Sequence, residues 1–132
     1  MEPIQLSGCA IIKNKKLLLL WKRNQDHYEF PGGKVEDNET LKEAAIRETK
    51  EELGVDVKIL KYAGCEEFNT KNKNFKAHKY IAKIIGKRKP KVMEPNKFKE
   101  FFWLPIENYN QFSVAPNVKD FCEDIINQRI EL

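Results

Sequence analysis

Glu48, Glu51 and Glu52 crowd the end of a stretch, Phe30 to Val55, that reads FPGGKVEDNETLKEAAIRETKEELGV. Thr40 to Leu53 has no Gly or Pro and is rich in good helix formers, so it predicts a helix. Asp37 and Asn38 are its N-cap candidates and Gly54 its C-cap. At about 100° per residue, Leu41, Ala45, Thr49 and Leu53 define the side that buries. Glu48 and Glu52 are an i, i+4 pair; Glu52 points almost with Leu41, Glu48 lies at that face's edge, and Glu51 sits beside them. A surface helix ordinarily turns its carboxylates away from its apolar stripe. Like charges packed together and partly desolvated are costly unless a proton or cation compensates. A hard divalent ion with oxygen ligands, Mg2+ or Mn2+, is the simplest compensation. The competing reading is a solvated Glu/Lys helix, which Lys42, Glu43 and Lys50 fit on the far side. Pro31-Gly32-Gly33 shifts the balance, because glycine tolerates positive φ and lets backbone approach a ligand closely. A glycine turn feeding a helix N-terminus also suits phosphate. Turn and carboxylate-lined helix together point to metal–phosphate chemistry.

The elements that must position these groups read in order along the chain. Ile4 to Ile12 and Lys16 to Trp21 are strands joined by a Lys-Asn-Lys turn, and the run Leu17 to Leu20 predicts a strand buried on both faces. Asn24 to His27 is a polar loop, and Tyr28 to Phe30 a short extended segment. After the helix, Val55 to Ala63, continued by Cys65 to Thr70, pairs with Ala77 to Ile85 as a hairpin around a Lys/Asn loop, Thr70 to Phe75. Lys97 to Leu104 is the last strand, with Phe101, Phe102 and Trp103 in core or pocket wall. Pro116 onward is a closing helix burying Val118, Phe121, Cys122, Ile125, Ile126 and Ile130. Strands, helix, strands, helix imply an α/β or α+β fold, a mixed sheet covered by helices.

A chain of 132 residues makes one domain, 1–132, and its net charge of +4 favours anionic ligands only weakly. Cys9, Cys65 and Cys122 suit neither a disulfide framework nor a zinc site, so buried reduced thiols and a cytoplasmic setting are expected. Leu17 to Trp21 is too short for a secretory core, and no segment approaches membrane-spanning length.

From Gly33 to Val55 the chain has G, five residues, E, seven residues, R-E, two residues, E-E, one residue, G, then a hydrophobe. This resembles the signature of the Nudix hydrolases, carried by Gly33, Glu39, Arg47, Glu48, Glu51, Glu52, Gly54 and Val55. Thr49 departs from it, standing where an aliphatic residue is the rule. The phrase Glu29 to Glu36, EFPGGKVE, is similar to the antimutator (MutT-like), nucleoside-triphosphate-cleaving branch. The resemblance implies an α/β/α sandwich with the two helices on opposite sides of the sheet. It implies divalent-metal-dependent hydrolysis of a nucleoside tri- or diphosphate, ordinary or oxidised, to the monophosphate. ADP-ribose or a dinucleoside polyphosphate is the alternative substrate. Glu48 and Glu52 are then the principal metal ligands, Glu51 a further ligand or a base acting through water, and the Gly32 carbonyl another ligand. Arg47 and Glu39 pair to orient the carboxylates, as metal sites require.

Outside this box the base is open among Glu51, Glu94 and Glu100, with Glu94 preferred over Glu100. Arg23 leaves a buried strand beside the glycines and can fork onto a phosphate, or be a surface arginine beside Lys22; similar arginines in nucleotide-cleaving relatives favour the phosphate. Phe30 packs on a nucleobase or in the core. By the resemblance Asn117 reads a base edge; otherwise it caps or opens the last helix. Lys71 to Lys79 and Lys87 to Lys91 read as solvated loops, since aromatics are sparse among them. A nucleotide substrate is expected, with no membrane contact and no stable nucleic-acid partner, in a monomer or homodimer. A non-catalytic nucleotide-sensing module is disfavoured because every charged position of the box is kept.

Overall fold

The structure, a computed structural model, describes residues 2–132. Its elements are β1 (Ile4–Lys13), β2 (Lys16–Lys22), β3 (His27–Glu29), β4 (Gly32–Lys34), α1 (Leu41–Leu53), β5 (Asp56–Thr70), β6 (Lys73–Ile85), β7 (Phe98–Pro105), a 3-10 segment (Ile106–Gln111) and α2 (Pro116–Ile126). The seven strands form a mixed sheet in the order β3-β2-β1-β6-β5, with β4 on β1 and β7 on β2. The central pair is parallel, matching Ile4–Ile11 of β1 with Phe75–Ala82 of β6.

Alternation along β1 and β2 sorts side chains to two cores, as the period of a strand requires. Cys9, Ile11, Leu18 and Leu20 pack with Ala45 and Leu53 of α1. Ala10, Leu17 and Leu19 pack with Val118, Phe121 and Cys122 of α2. The helices therefore cover opposite faces, and Leu17 to Leu20 are all fully buried between them. Burying each leucine contributes about 1.5–3 kcal/mol.

Local details differ from the sequence reading in five places. The N-cap of α1 is Thr40, in a capping box with Glu43, rather than Asp37 or Asn38; Asn38 instead takes φ 65° in the preceding turn. The β5–β6 turn is only Lys71-Asn72, both at positive φ, so pairing runs to Thr70↔Lys73. Gly32-Gly33 is no positive-φ turn but strand β4, antiparallel to Gly8-Ser7. α2 stops at Ile126, which is 44% exposed, and Ile130 packs on the core from beyond the helix. Cys9 and Cys122 are buried, but Cys65 is exposed beside a β5 bulge.

Candidate active site

Close approach requires glycine at position 32, where a Cβ would lie 2.8 Å from the Gly8 Cα; a Cβ on Gly33 would meet the Glu48 carboxylate and displace it. The Glu48 carboxylate thus rests directly on β4, in the middle of α1 rather than at its N-terminus. One turn on, Glu52 is 6% exposed, and its Oε1 accepts the Gly32 N–H at 2.8 Å. Burial, first of all, pushes the Glu52 carboxyl up to about 8; the Gly32 amide opposes this, and Glu48, Glu94 and Glu29 add to it. Glu48 is also raised, by burial first, with Arg47 opposing and Glu51 and Glu94 reinforcing.

Glu51 does not join them on β4. Its side chain is 53% exposed and takes the Arg47 Nη1 at 3.2 Å. Among the described residues no three His, Cys, Asp or Glu side chains are gathered into a metal cage. The donor set nevertheless fits a hard divalent ion. Two neighbouring carboxylates, one buried with a single amide for compensation, favour either a proton or a cation, and their hard oxygens suit Mg2+ or Mn2+.

Arg47 is braced as the resemblance implies. Its Nε and Nη2 donate to Glu39 at 2.7 and 3.0 Å, Nη2 also to the Lys34 carbonyl at 2.9 Å, and Nη1 to Glu48 at 3.4 Å. Arg47, first, and the Glu36 amide hold the Glu39 carboxyl down at about 2. Thr49, the departure from the pattern, is fully buried and returns its hydroxyl to the Ala45 carbonyl at 2.8 Å.

Beside the glycines opens a cleft of about 570 Å³ whose lining includes Gly32, Gly33, Glu29, Phe30, Lys79 and Asn117. Asn117 is the second residue of α2, after Ala115 at the N-cap and Pro116, so it does not cap the helix. Phe30 is both wall and core: it is 7% exposed and meets Phe121 edge-on, with ring centroids 5.5 Å apart. Lys79 Nζ sits 3.5 Å from the Phe30 centroid, which leaves less of that ring for a base to stack on. Glu94 acts electrostatically on both Glu48 and Glu52, whereas Glu100 acts on neither and accepts the Tyr28 hydroxyl at 3.2 Å. Arg23 does not line the cleft; its Nε donates to the Pro95 carbonyl at 2.8 Å and its amide to Lys97, beside the Glu94 segment.

Two residues escaped the sequence reading. Glu29, whose negative charge helps raise the Glu52 carboxyl, is two positions before Pro31 and pairs with His27 at 3.1 Å. Lys79 stands in mid-strand opposite Gly8; burial pushes its ammonium down to about 7, opposed by Glu66, Cys9 and Glu29. Lys79 and Lys83 both interrupt the Ala77–Ile85 run, so the sequence by itself did not single out Lys79.

The sequence profile of the NUDIX domain matches residues 4–125. The CTP pyrophosphohydrolase of Escherichia coli (strain K12) is 25% identical over 121 residues, covering 88% of this chain and 86% of that protein. YtkD of Bacillus subtilis (strain 168), provisionally named an 8-oxo-dGTP diphosphatase, is 48% identical over 66 residues, covering 50% of this chain and 42% of YtkD. The match therefore spans less than half of that relative's length. Among solved structures, a MutT NUDIX hydrolase from Burkholderia pseudomallei superposes with a TM-score of 0.83 at 23% identity, covering 93% of this chain and 98% of that one. That likeness shows a shared fold, and no helix among the described residues is long and apolar enough to cross a membrane. With its profile running from β1 into α2 and its glutamate helix seated on β4, the chain belongs to the Nudix hydrolase family.

Proposed function

We propose that this protein hydrolyses the pyrophosphate bond of nucleoside tri- or diphosphates, oxidised forms included, releasing the nucleoside monophosphate with Mg2+ or Mn2+ as cofactor. The observation that carries this reading is the pairing of Glu48 and Glu52 on β4 at the mouth of a nucleotide-sized cleft. Relatives named for CTP and 8-oxo-dGTP support nucleotides as the substrate class.

Glu48 and Glu52 would hold the ion with the Gly32 carbonyl, and Glu51, which Arg47 holds off β4, would assist through water. When bound, the ion neutralises the diphosphate and acidifies water. Arg47, locked by Glu39, fixes the directions of Glu48 and Glu51. Glu94, whose neighbour Met93 donates its amide to the Glu52 carbonyl at 3.0 Å and whose charge acts on both carboxylates, is the group we assign to take the proton from attacking water. Asn117 offers both a donor and an acceptor to a base edge at the cleft wall. Phe30 supports Lys79 there, with its face toward the ammonium.

The test is a panel of nucleoside tri- and diphosphates, ADP-ribose and dinucleoside polyphosphates with Mg2+ or Mn2+, with products identified. Monophosphate release that EDTA stops is the expected outcome. Turnover confined to ADP-ribose or dinucleoside polyphosphates, or none on any nucleotide, would overturn the reading.

A further inference from the structure

A second cleft, of about 690 Å³, has the opposite character. It lies at the far end of the sheet from the glycines, where β1, β6 and β7 present Ile12, Ile84 and Trp103. Lys87, Arg88 and Lys89 rim it from the turn after β6, and Lys13 and Lys83 from the strand ends. All five cations are exposed, none is in an ion pair among the described residues, and no carboxylate lines the cleft. Phe101 and Trp103 line it as well, half-buried against the α1-side core. Two residues apart on β7, these rings share a face and stand about 7 Å apart along the strand.

Sequence spacing argued for solvated lysines because no aromatics accompany Lys87 to Lys91. Pairing of β7 with β2 and of β6 with β1 supplies the missing rings from more than ten residues downstream. We propose that this cleft binds single-stranded nucleic acid, the cations tracking its phosphates and Trp103 and Phe101 accepting its bases. Unpaired cations around half-buried rings that line an open cleft are what a single strand requires, since every base has a stacking face and every linkage a charge. A duplex hides its base faces and engages only the cations. The site is separate from the nucleotide cleft and does not depend on the activity proposed for that cleft.

The test is fluorescence anisotropy with a labelled 12-nucleotide oligothymidylate bearing a 5′-hydroxyl, in EDTA, across a salt series. The wild type should bind at 50 mM salt and prefer the single strand to a duplex of equal length. Replacing Lys87, Arg88 and Lys89 with alanine should weaken binding at least tenfold and reduce the log–log salt slope by about 2. The matched control, alanine at Lys71, Lys73 and Lys76 on the β5–β6 hairpin, should change affinity less than twofold. Trp103 emission, read in a Trp21→Phe background, should be quenched by the oligonucleotide. Equal losses in both triple variants, unchanged Trp103 emission, equal affinity for duplex, or no binding by the wild type would each overturn the proposal. Hydrolysis of free nucleotide by the Lys87/Arg88/Lys89 variant should remain within twofold of wild type, so failure here and failure of the catalytic reading are distinguishable.

Discussion

The two helices cover the two faces of one sheet but are stabilised in different ways. α2 begins at Ala115 with no side-chain cap and is held by an apolar face of Val118, Phe121 and Cys122. α1 has a capping box at Thr40, a left-handed Gly54 at its C-cap and a buried Glu52 in its packing face. A helix that buries a carboxylate gives up apolar contact at that position, and its capped ends offset part of the loss. The lesson is that α1 is shaped for what it presents and α2 for what it covers. Substitutions on the face that α1 turns to β4 should therefore fall mainly on activity, and those on the buried face of α2 mainly on stability.

The largest separation is expected at Glu52→Gln. Activity should fall on the order of a thousandfold, since a principal metal ligand is lost. The metal-free fold should move the other way with pH. The Glu52 carboxyl is raised from 4.5 to about 8 in the folded chain, so the folded state holds the proton more tightly. Its stabilising effect is complete below pH 4.5 and is lost as pH rises toward 8, a change on the order of a few kcal/mol. Thermal melts in EDTA should show wild-type Tm dropping across that window and a flatter profile for Glu52→Gln. A variant that retains activity, or a parallel pair of pH profiles, would break the contrast.

Phe121→Ala should cost about 3–4 kcal/mol by denaturant unfolding, as for a large core truncation. Active-site titration should show kcat per folded molecule nearly unchanged. A large kcat loss in the folded fraction would make α2 part of the catalytic apparatus.

A smaller effect is expected at Arg23→Ala. Its Nε anchors the Pro95 carbonyl next to Glu94, so kcat should fall about tenfold with little change in KM. A rise in KM alone would restore the phosphate contact expected from sequence position. Thr40→Ala should be the mildest, costing about 1 kcal/mol of stability with kcat preserved.

Local pattern made part of the molecule readable: the inward Glu52 follows from helical spacing in α1 and the two-sided burial of Leu17 to Leu20 from an unbroken apolar run, while the pairing of Arg47 with Glu39 was implied by the family resemblance. The Thr40–Glu43 box was also present as a short pattern, but Asp37 and Asn38 competed with it. Long-range register hid the rest. Lys79 reaches the cleft because β6 sets it opposite Gly8, and Trp103 shares a cleft with Lys89 because β7 joins the sheet through β2. Glu51 faced correctly on a helical wheel, yet Arg47, four residues earlier, holds it away from β4.

The parallel pairing of β1 with β6 has a consequence for the order in which the molecule is made. Ile4 finds Phe75 as its partner and Ile11 finds Ala82, so that edge of β1 has no partner until most of the chain has left the ribosome. Contacts of such sequence separation form slowly, because loop closure is costly before they reward it. The β1–β2 turn at Asn14-Lys15 can close at once, leaving a leucine-rich hairpin with two uncovered faces. During synthesis that hairpin is the segment most exposed to mispairing, and the emergence of β6 is the event that ends the exposure.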